Sequence, residues 1–134
     1  MNVYVRIMTR YAEFDGRLRR RDYWIFVLIT FAIMLVTSLL GNLFLNERQA
    51  MIPLALVALV HFIPLIAVDI RRLHDQGKSG AWWFIRFIPL IGGIWFLVLM
   101  LTEGDTGRNE YGPDPKALDN SFAMSDENIL DNKF

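Results

Sequence analysis

Residues Tyr23 to Asn46 read YWIFVLITFAIMLVTSLLGNLFLN, 24 consecutive residues without a charge. As an α-helix rising 1.5 Å per residue this run extends ~36 Å, enough to cross a hydrocarbon core of ~30 Å. Between Trp24 and Leu45 the only polar residues are Thr30, Thr37, Ser38 and Asn42. A helix of a soluble bundle needs polar positions every three or four residues to meet water, and none recur here. The run therefore reads as membrane-spanning. It is longer than the roughly 7 to 15 apolar residues of a secretory signal and no small-residue cleavage site follows it, so it reads as a retained anchor.

Two further apolar runs lie downstream. Gln49 to Val68 has twenty uncharged residues, with Pro53 near the helix start, Pro64 inside it and His61 between them. An interior proline removes a donor and kinks the helix, while His61 on an apolar run reads as a hydrogen-bonded packing residue. Ala81 to Thr102 has twenty-two residues interrupted once by Arg86, with Pro89 and Gly92-Gly93 as points of bending or close packing. These runs predict an all-α integral membrane protein with three transmembrane helices, at about 23–46, 50–68 and 81–102, joined by short loops. Residues 1–117 are read as a single transmembrane domain and 118–134 as a flexible, acidic, polar C-terminal tail, with at most a short helix capped near Ser125.

Composition agrees. The chain has 134 residues, is 54% hydrophobic and 21% charged, and has no cysteine. Its mean hydropathy of +0.31 at zero formal charge is the opposite of a disordered signature. The missing cysteines exclude a disulfide framework and a thiolate metal site and leave the redox compartment open. The formal neutrality hides a segregation: residues 1 to 22 carry six Arg against three acids, and residues 103 to 134 carry three Lys or Arg against eight acids. The connection after the first helix carries Arg48, and that after the second carries Arg71, Arg72 and Lys78. Positive charge held on the inner side predicts a cytoplasmic N-terminus. Three crossings then place the tail on the far side. Tyr23-Trp24 and Trp82-Trp83 mark the interfacial ends of helices one and three.

Three polar motifs flank the helices. In the first, Phe14, Gly16, Arg17, Arg20, Asp22, Tyr23 and Trp24 set a cationic patch just outside the bilayer, where each basic residue attracts anionic headgroups by about 1 kcal/mol. In the second, Asp69, Arg71, Arg72, Leu73, His74, Asp75, Gln76, Gly77, Lys78 and Ser79 gather titratable groups, and helical spacing would pair Asp69 with Arg72, and Arg71 and Arg72 with Asp75. Arg86 either snorkels to the headgroups or pairs inward with Asp69 or Asp75. The Gly77-Lys78-Ser79-Gly80 stretch suits a helix stop and a tight turn, and lacks phosphate-loop spacing. In the third, Gly104 to Pro115 holds two Pro and three Gly within twelve residues, which predicts a fixed loop.

Taken in order, Phe14-x-Gly16-Arg17-x-x-Arg20-x-Asp22-Tyr23-Trp24, Arg71-Arg72-Leu73-His74-Asp75 with Lys78-Ser79 and a Trp pair, and Gly107-x-Asn109-x-Tyr111-Gly112-Pro113-Asp114-Pro115 resemble the bacterial inner-membrane proteins grouped as domain of unknown function 805. The resemblance covers residues 10 to 117. Ala81 stands as an extra residue before the tryptophans, and Glu110 where a basic residue is expected. The resemblance implies a small multi-pass protein of the bacterial inner membrane and no established activity.

The favoured functional reading is a non-enzymatic membrane component whose cytoplasmic-face residues Arg17, Arg20, Asp69, Arg71, Arg72, His74, Asp75, Lys78 and Arg86 bind an anionic lipid headgroup or a partner protein. A homo-oligomer or a larger membrane complex would suit so small an interior. The alternative is an enzyme or transport component in which His74 carries a proton and Asp69 or Asp75 orients it. No residue is assigned as catalytic or metal-ligating, no cofactor is expected, and a basic stretch abutting a bilayer without a recognition fold argues against nucleic acid.

Overall fold

The computed structural model describes residues 2–131. Its elements are α1 (Val3–Thr9), α2 (Arg20–Phe44), α3 (Glu47–Asp75), a 3-10 helix (Gly80–Phe87), α4 (Ile91–Leu101) and α5 (Pro115–Asp131). The described residues contain no strand, only an isolated bridge between Asn109 and Gly112. Contacts divide the chain into two compact units, one of the segment to Phe14 with Arg21–Asp69, the other of Asp15–Arg20 with the chain from Ile70 onward.

In the first unit, α2 and α3 form a helical hairpin. At 25 and 29 residues they extend ~37 and ~43 Å, and each is apolar enough to cross a membrane. Only 17% and 22% of their most apolar stretches is buried within the protein, whereas the core helix of a soluble protein would be mostly covered. Two polar side chains on α2 are satisfied by the helix itself, as a lipid environment requires, whereas the Thr30 hydroxyl is buried without a hydrogen-bond partner among the described residues. Thr37 Oγ1 donates to Ile33 O at 2.7 Å and Asn42 Nδ2 to Ser38 O at 2.8 Å. The hairpin closes at Asn46, whose Oδ1 caps the Gln49 N–H at 2.9 Å, and at Gly41, where a Cβ would stand 3.2 Å from that of Ala50. The helix α3 runs through Pro53 and Pro64 and ends at Asp75, seven residues beyond the apolar run that predicts it.

The short helix α1 has no counterpart in the sequence reading. Asn2 Oδ1 caps it by accepting the Tyr4 N–H, and Arg6 reaches Asp22 at 2.8 Å. Tyr4 stacks on Phe26, with centroids 5.4 Å apart, and its hydroxyl lies 2.7 Å from His61 Nε2. Because His61 Nδ1 faces the Val57 carbonyl at 2.8 Å and must donate to it, the Nε2 lone pair accepts from Tyr4. His61 is buried and hydrogen-bonded, as a packing histidine should be.

The second unit corrects the expected helix over 81–102. That stretch is broken into the 3-10 helix and the eleven-residue α4. Pro89 bars its predecessor from helical geometry, and Ile88 is extended at ψ 120°. Leu90 then adopts φ 65° and ψ −57° while the Ile91 N–H reaches the Pro89 carbonyl at 2.7 Å, a γ-turn of the rare, strained kind. The two pieces pack on each other. Trp82 meets Trp95 edge-on at 6.1 Å, and a Cβ on Gly92 would run into the Ile85 carbonyl and lie 2.9 Å from Ile88 Cβ. The tail is also more regular than expected. Residues 115–131 are helical because Asp114 caps the start, Pro115 fits the first helical position, and Lys116, Ala117 and Leu118 favour the helix. The last three residues of the expected tail lie outside the described residues.

Gly92 and Gly93 provide an internal comparison. Gly92→Ala should lower the thermal midpoint of the detergent-purified protein, an overpacking cost of ~1–3 kcal/mol. Gly93 has open space around it, so Gly93→Ala should leave the midpoint unchanged or raise it, alanine being the better helix former by ~0.5–1 kcal/mol. Circular dichroism melts of the two variants check this, and equal midpoints would refute the packed hairpin.

Candidate functional site

The site lies within the second unit and begins with an α-helix ending where carbonyls need partners. The last carbonyls of α4 have no acceptor role inside the helix. Side chains from elsewhere in the unit supply the donors: the Gln76 amide donates to Leu99 O, Arg72 Nε to Met100 O at 3.3 Å, Arg20 Nη1 to Leu101 O at 3.1 Å and Arg72 Nη2 to Thr102 O. Cations are favoured at this negative end of the helix dipole.

Arg72 also reaches Asp75 one turn on, Nη1 to Oδ2 at 2.6 Å, the i,i+3 pair that the sequence spacing predicts. The other carboxylate oxygen takes Arg17 Nε at 3.0 Å. Arg17 is fully saturated: Nη1 donates to Gly107 O at 2.5 Å and, more weakly, to Gly112 O at 3.4 Å, and Nη2 donates to Asp105 O at 2.5 Å. The Arg17 and Arg72 side chains are 1% and 0% exposed, that of Asp75 5%. One carboxylate is thus clamped between two buried guanidinium groups. A Cβ on Gly104 would collide with that carboxylate, which requires glycine there. The Asp105 N–H returns to Asp75 O at 2.6 Å.

His74 is held as firmly. Its Nδ1 lies 3.1 Å from Gly16 O and must donate to it, its ring stacks on Tyr111 with centroids 3.9 Å apart and planes at 3°, and its backbone carbonyl accepts from Asn109 Nδ2 at 2.9 Å. His74 and Asp75 are not bonded to each other, because Nδ1 is engaged by a carbonyl and both Asp75 oxygens by arginine, while Nε2 of this tautomer keeps its lone pair. Asp114 anchors the third motif, accepting the Gly107 N–H at 3.0 Å on one oxygen and the Lys116 N–H at 3.0 Å on the other. The Gly107 amide is the main cause that holds its carboxyl below the usual carboxylate range, with burial opposing it.

All three polar motifs therefore contribute to one cluster, of which Arg17, Arg72, His74 and Asp75 are the centre. Arg20 lies at its edge, paired with Glu103 at 3.1 Å and half exposed. Arg71 is buried, and its carbonyl accepts the Leu18 N–H. Lys78 is half-buried just past the end of α3. Arg86 lies with its guanidinium 4.8 Å from the Trp83 ring centre and 4.1 Å from that of Phe96. Asp69 belongs to the first unit, where it accepts the Tyr23 hydroxyl at 3.0 Å. Sequence reasoning missed Gln76, Asn109 and Tyr111 as working members although all three stand inside the quoted motifs. Among the described residues no group of three His, Asp or Glu side chains converges as a metal would require.

The family described as Protein of unknown function (DUF805) matches residues 11–113. The chain is 40% identical over 116 residues to "Inner membrane protein YhaI" of Escherichia coli K12, covering 87% of this chain and 97% of that protein. It is 37% identical over 119 residues to "Inner membrane protein YhaH" of the same strain, covering 87% and 98%. It is 36% identical over 128 residues to "Uncharacterized protein YiiR", covering 76% and 85%. No solved structure matches.

Removing one member of a buried ion pair leaves a charge without its counterion, so Arg17→Ala and Arg72→Ala should each destabilise the detergent-solubilised protein by ~3–5 kcal/mol. Arg17→Lys should fail to restore the loss, since a single ammonium cannot serve Asp75 and the carbonyls of Asp105 and Gly107 together. Unfolding curves of these variants check both statements.

Asp114→Ala should cost ~1 kcal/mol through loss of the α5 cap, and Asp114→Asn should retain most of it. With its pKa lowered on folding, Asp114 stabilises fully above the ordinary carboxylate range, and the contribution fades as pH falls through the lowered folded value. Melts of the parent and Asp114→Asn should therefore converge in acid.

Proposed function

The chain belongs to the DUF805 family of proteins of unknown function, and we propose on that footing that it is a non-enzymatic, multi-pass component of the bacterial inner membrane. Its N-terminus faces the cytoplasm, with α2 and α3 as its crossings, and the Arg17–Asp75–Arg72 cluster is the clasp that closes its cytoplasmic end. The observation that carries the reading is how the titratable groups of the cluster are engaged. The two guanidinium groups and the carboxylate satisfy one another and backbone carbonyls, so none of the three offers an unoccupied charge to a substrate. The six arginines ahead of and within the first turn of α2 support the orientation. The inner-membrane names of the two relatives support the location.

Anionic headgroups are then met by cations at the rim of the clasp. Lys78 and Arg108 have side chains without a hydrogen bond or ion pair among the described residues, and Arg108 is exposed. A cation near an anionic surface is attracted by about 1 kcal/mol. The buried pair turns its donors to Asp75 and backbone carbonyls instead.

Native mass spectrometry from vesicles of mixed phosphatidylglycerol and phosphatidylethanolamine separates rim from clasp. The double variant Lys78→Ala with Arg108→Ala should keep the parental melting midpoint and lose phosphatidylglycerol adducts. Undiminished adducts in that variant would reject the rim as the headgroup site.

A further inference from the structure

The second unit contains an apolar segment whose two ends meet. The chain leaves α3 at Gln76 and passes through the 3-10 helix Gly80–Phe87, the turn at Leu90 and α4. It then returns so that the Asp105 N–H bonds the Asp75 carbonyl at 2.6 Å and Asn109 Nδ2 bonds the His74 carbonyl at 2.9 Å. Two backbone atoms in hydrogen-bond contact cannot lie on opposite faces of a hydrocarbon layer ~30 Å thick. The segment between them therefore enters and leaves on one face.

Its length suits half of that layer. The 3-10 helix extends ~16 Å and α4 another ~16 Å, and the two lie against each other through Trp82 with Trp95 and Gly92 with Ile85. Nothing polar interrupts α4 from Ile91 to Leu101, so it has no wet face with which to lie along the headgroups as an amphipathic helix would. Leu90 at the tip is 91% exposed, and Phe87, Ile91 and Ile94 beside it are also exposed. The backbone of the turn is suited to lipid. Ile88 donates to Ile85 O, Ile91 to Pro89 O and Gly92 to Ile88 O, while Pro89 has no N–H to satisfy. Holding Leu90 at φ 65° is unfavourable, and an apolar surrounding for its exposed side chain offsets that cost.

We infer that residues 80–101 form a re-entrant wedge, a hairpin solvated by the acyl chains of a single leaflet, entering and leaving the membrane on the face that holds Arg17 and Asp75. The segment is not a third crossing, and α5 lies on the same side as the cation-rich N-terminal segment. The inference rests on the membrane reading given above and adds to it the sidedness of the C-terminal part and the depth of the hairpin.

The absence of native cysteine makes the test direct. Single variants Arg10→Cys, Arg48→Cys, Ala117→Cys and Leu90→Cys, made in the full chain, are treated in intact cells with a membrane-impermeant maleimide and again after lysis. Arg10→Cys and Ala117→Cys should share one side and Arg48→Cys the other, while Leu90→Cys stays unlabelled in both conditions and reacts once detergent denatures the protein. A nitroxide at position 90 should be relaxed by oxygen in preference to an aqueous nickel chelate. Labelling of Ala117→Cys together with Arg48→Cys overturns the wedge, as does ready labelling of Leu90→Cys after lysis. If Arg10→Cys and Ala117→Cys are both labelled from outside and Arg48→Cys is not, the wedge stands and the cytoplasmic orientation proposed above falls.

Discussion

A guanidinium group taken out of water has to recover its hydrogen bonds from the protein, and this chain buries Arg17, Arg71 and Arg72 within one unit, two of them on a single carboxylate. The attraction of Arg17 and Arg72 to Asp75 offsets part of the desolvation cost, and the Asp114 carboxylate acts on Arg17 from nearby. The remaining donors go to carbonyls, of Asp105, Gly107 and Gly112 from Arg17, and of Met100 and Thr102 from Arg72. The C-terminal end of α4 contributes a partial negative charge equivalent to about half an electron, which is why an uncharged helix is tied to the most polar part of the chain.

The spanning helices were legible because lipid imposes a simple rule. Every residue on the outside of α2 has to be apolar, so the 24-residue uncharged run announces the helix without any periodicity. Arg72 with Asp75 was legible for the same local reason, one turn of helix. The clamp by Arg17 was not, because its partners are backbone carbonyls some ninety residues away, and a carbonyl carries no residue signature. Gln76 is in the same position, since its side chain is recognised as a cap only when the end of α4 is seen beside it. The seven residues of α1, rich in β-branched Val and Ile, have no uncharged length or period to give them away, and their helix is held by Tyr4 and Arg6 reaching His61 and Asp22.

The segment over 81–102 went the other way, composition suggesting one long helix. Length and apolarity are the same for a crossing and for a hairpin of half the depth. What separates them is local chemistry at three residues. Pro89 stops the first helix, Leu90 turns through a strained angle, and Gly92 lets the second helix approach the Ile85 carbonyl more closely than any side chain would allow. Proline and paired glycines were visible as points of bending, but the size of a bend is set by what packs across it, here Trp82 on Trp95 and Arg86 between Trp83 and Phe96.

The same reasoning explains why the loop after α4 is rich in glycine. To saturate Arg17, the carbonyls of Asp105, Gly107 and Gly112 have to turn toward one guanidinium plane from a stretch of eight residues, which ordinary extended or helical backbone cannot do. Gly107 at φ 76° and Gly112 at φ 133° make the reversals, and Gly104 leaves room for the Asp75 carboxylate. Asp114 then fixes the far end of the loop by binding the Gly107 amide and starting α5. The carbonyls that this loop turns toward one arginine are what burying its charge requires of the backbone.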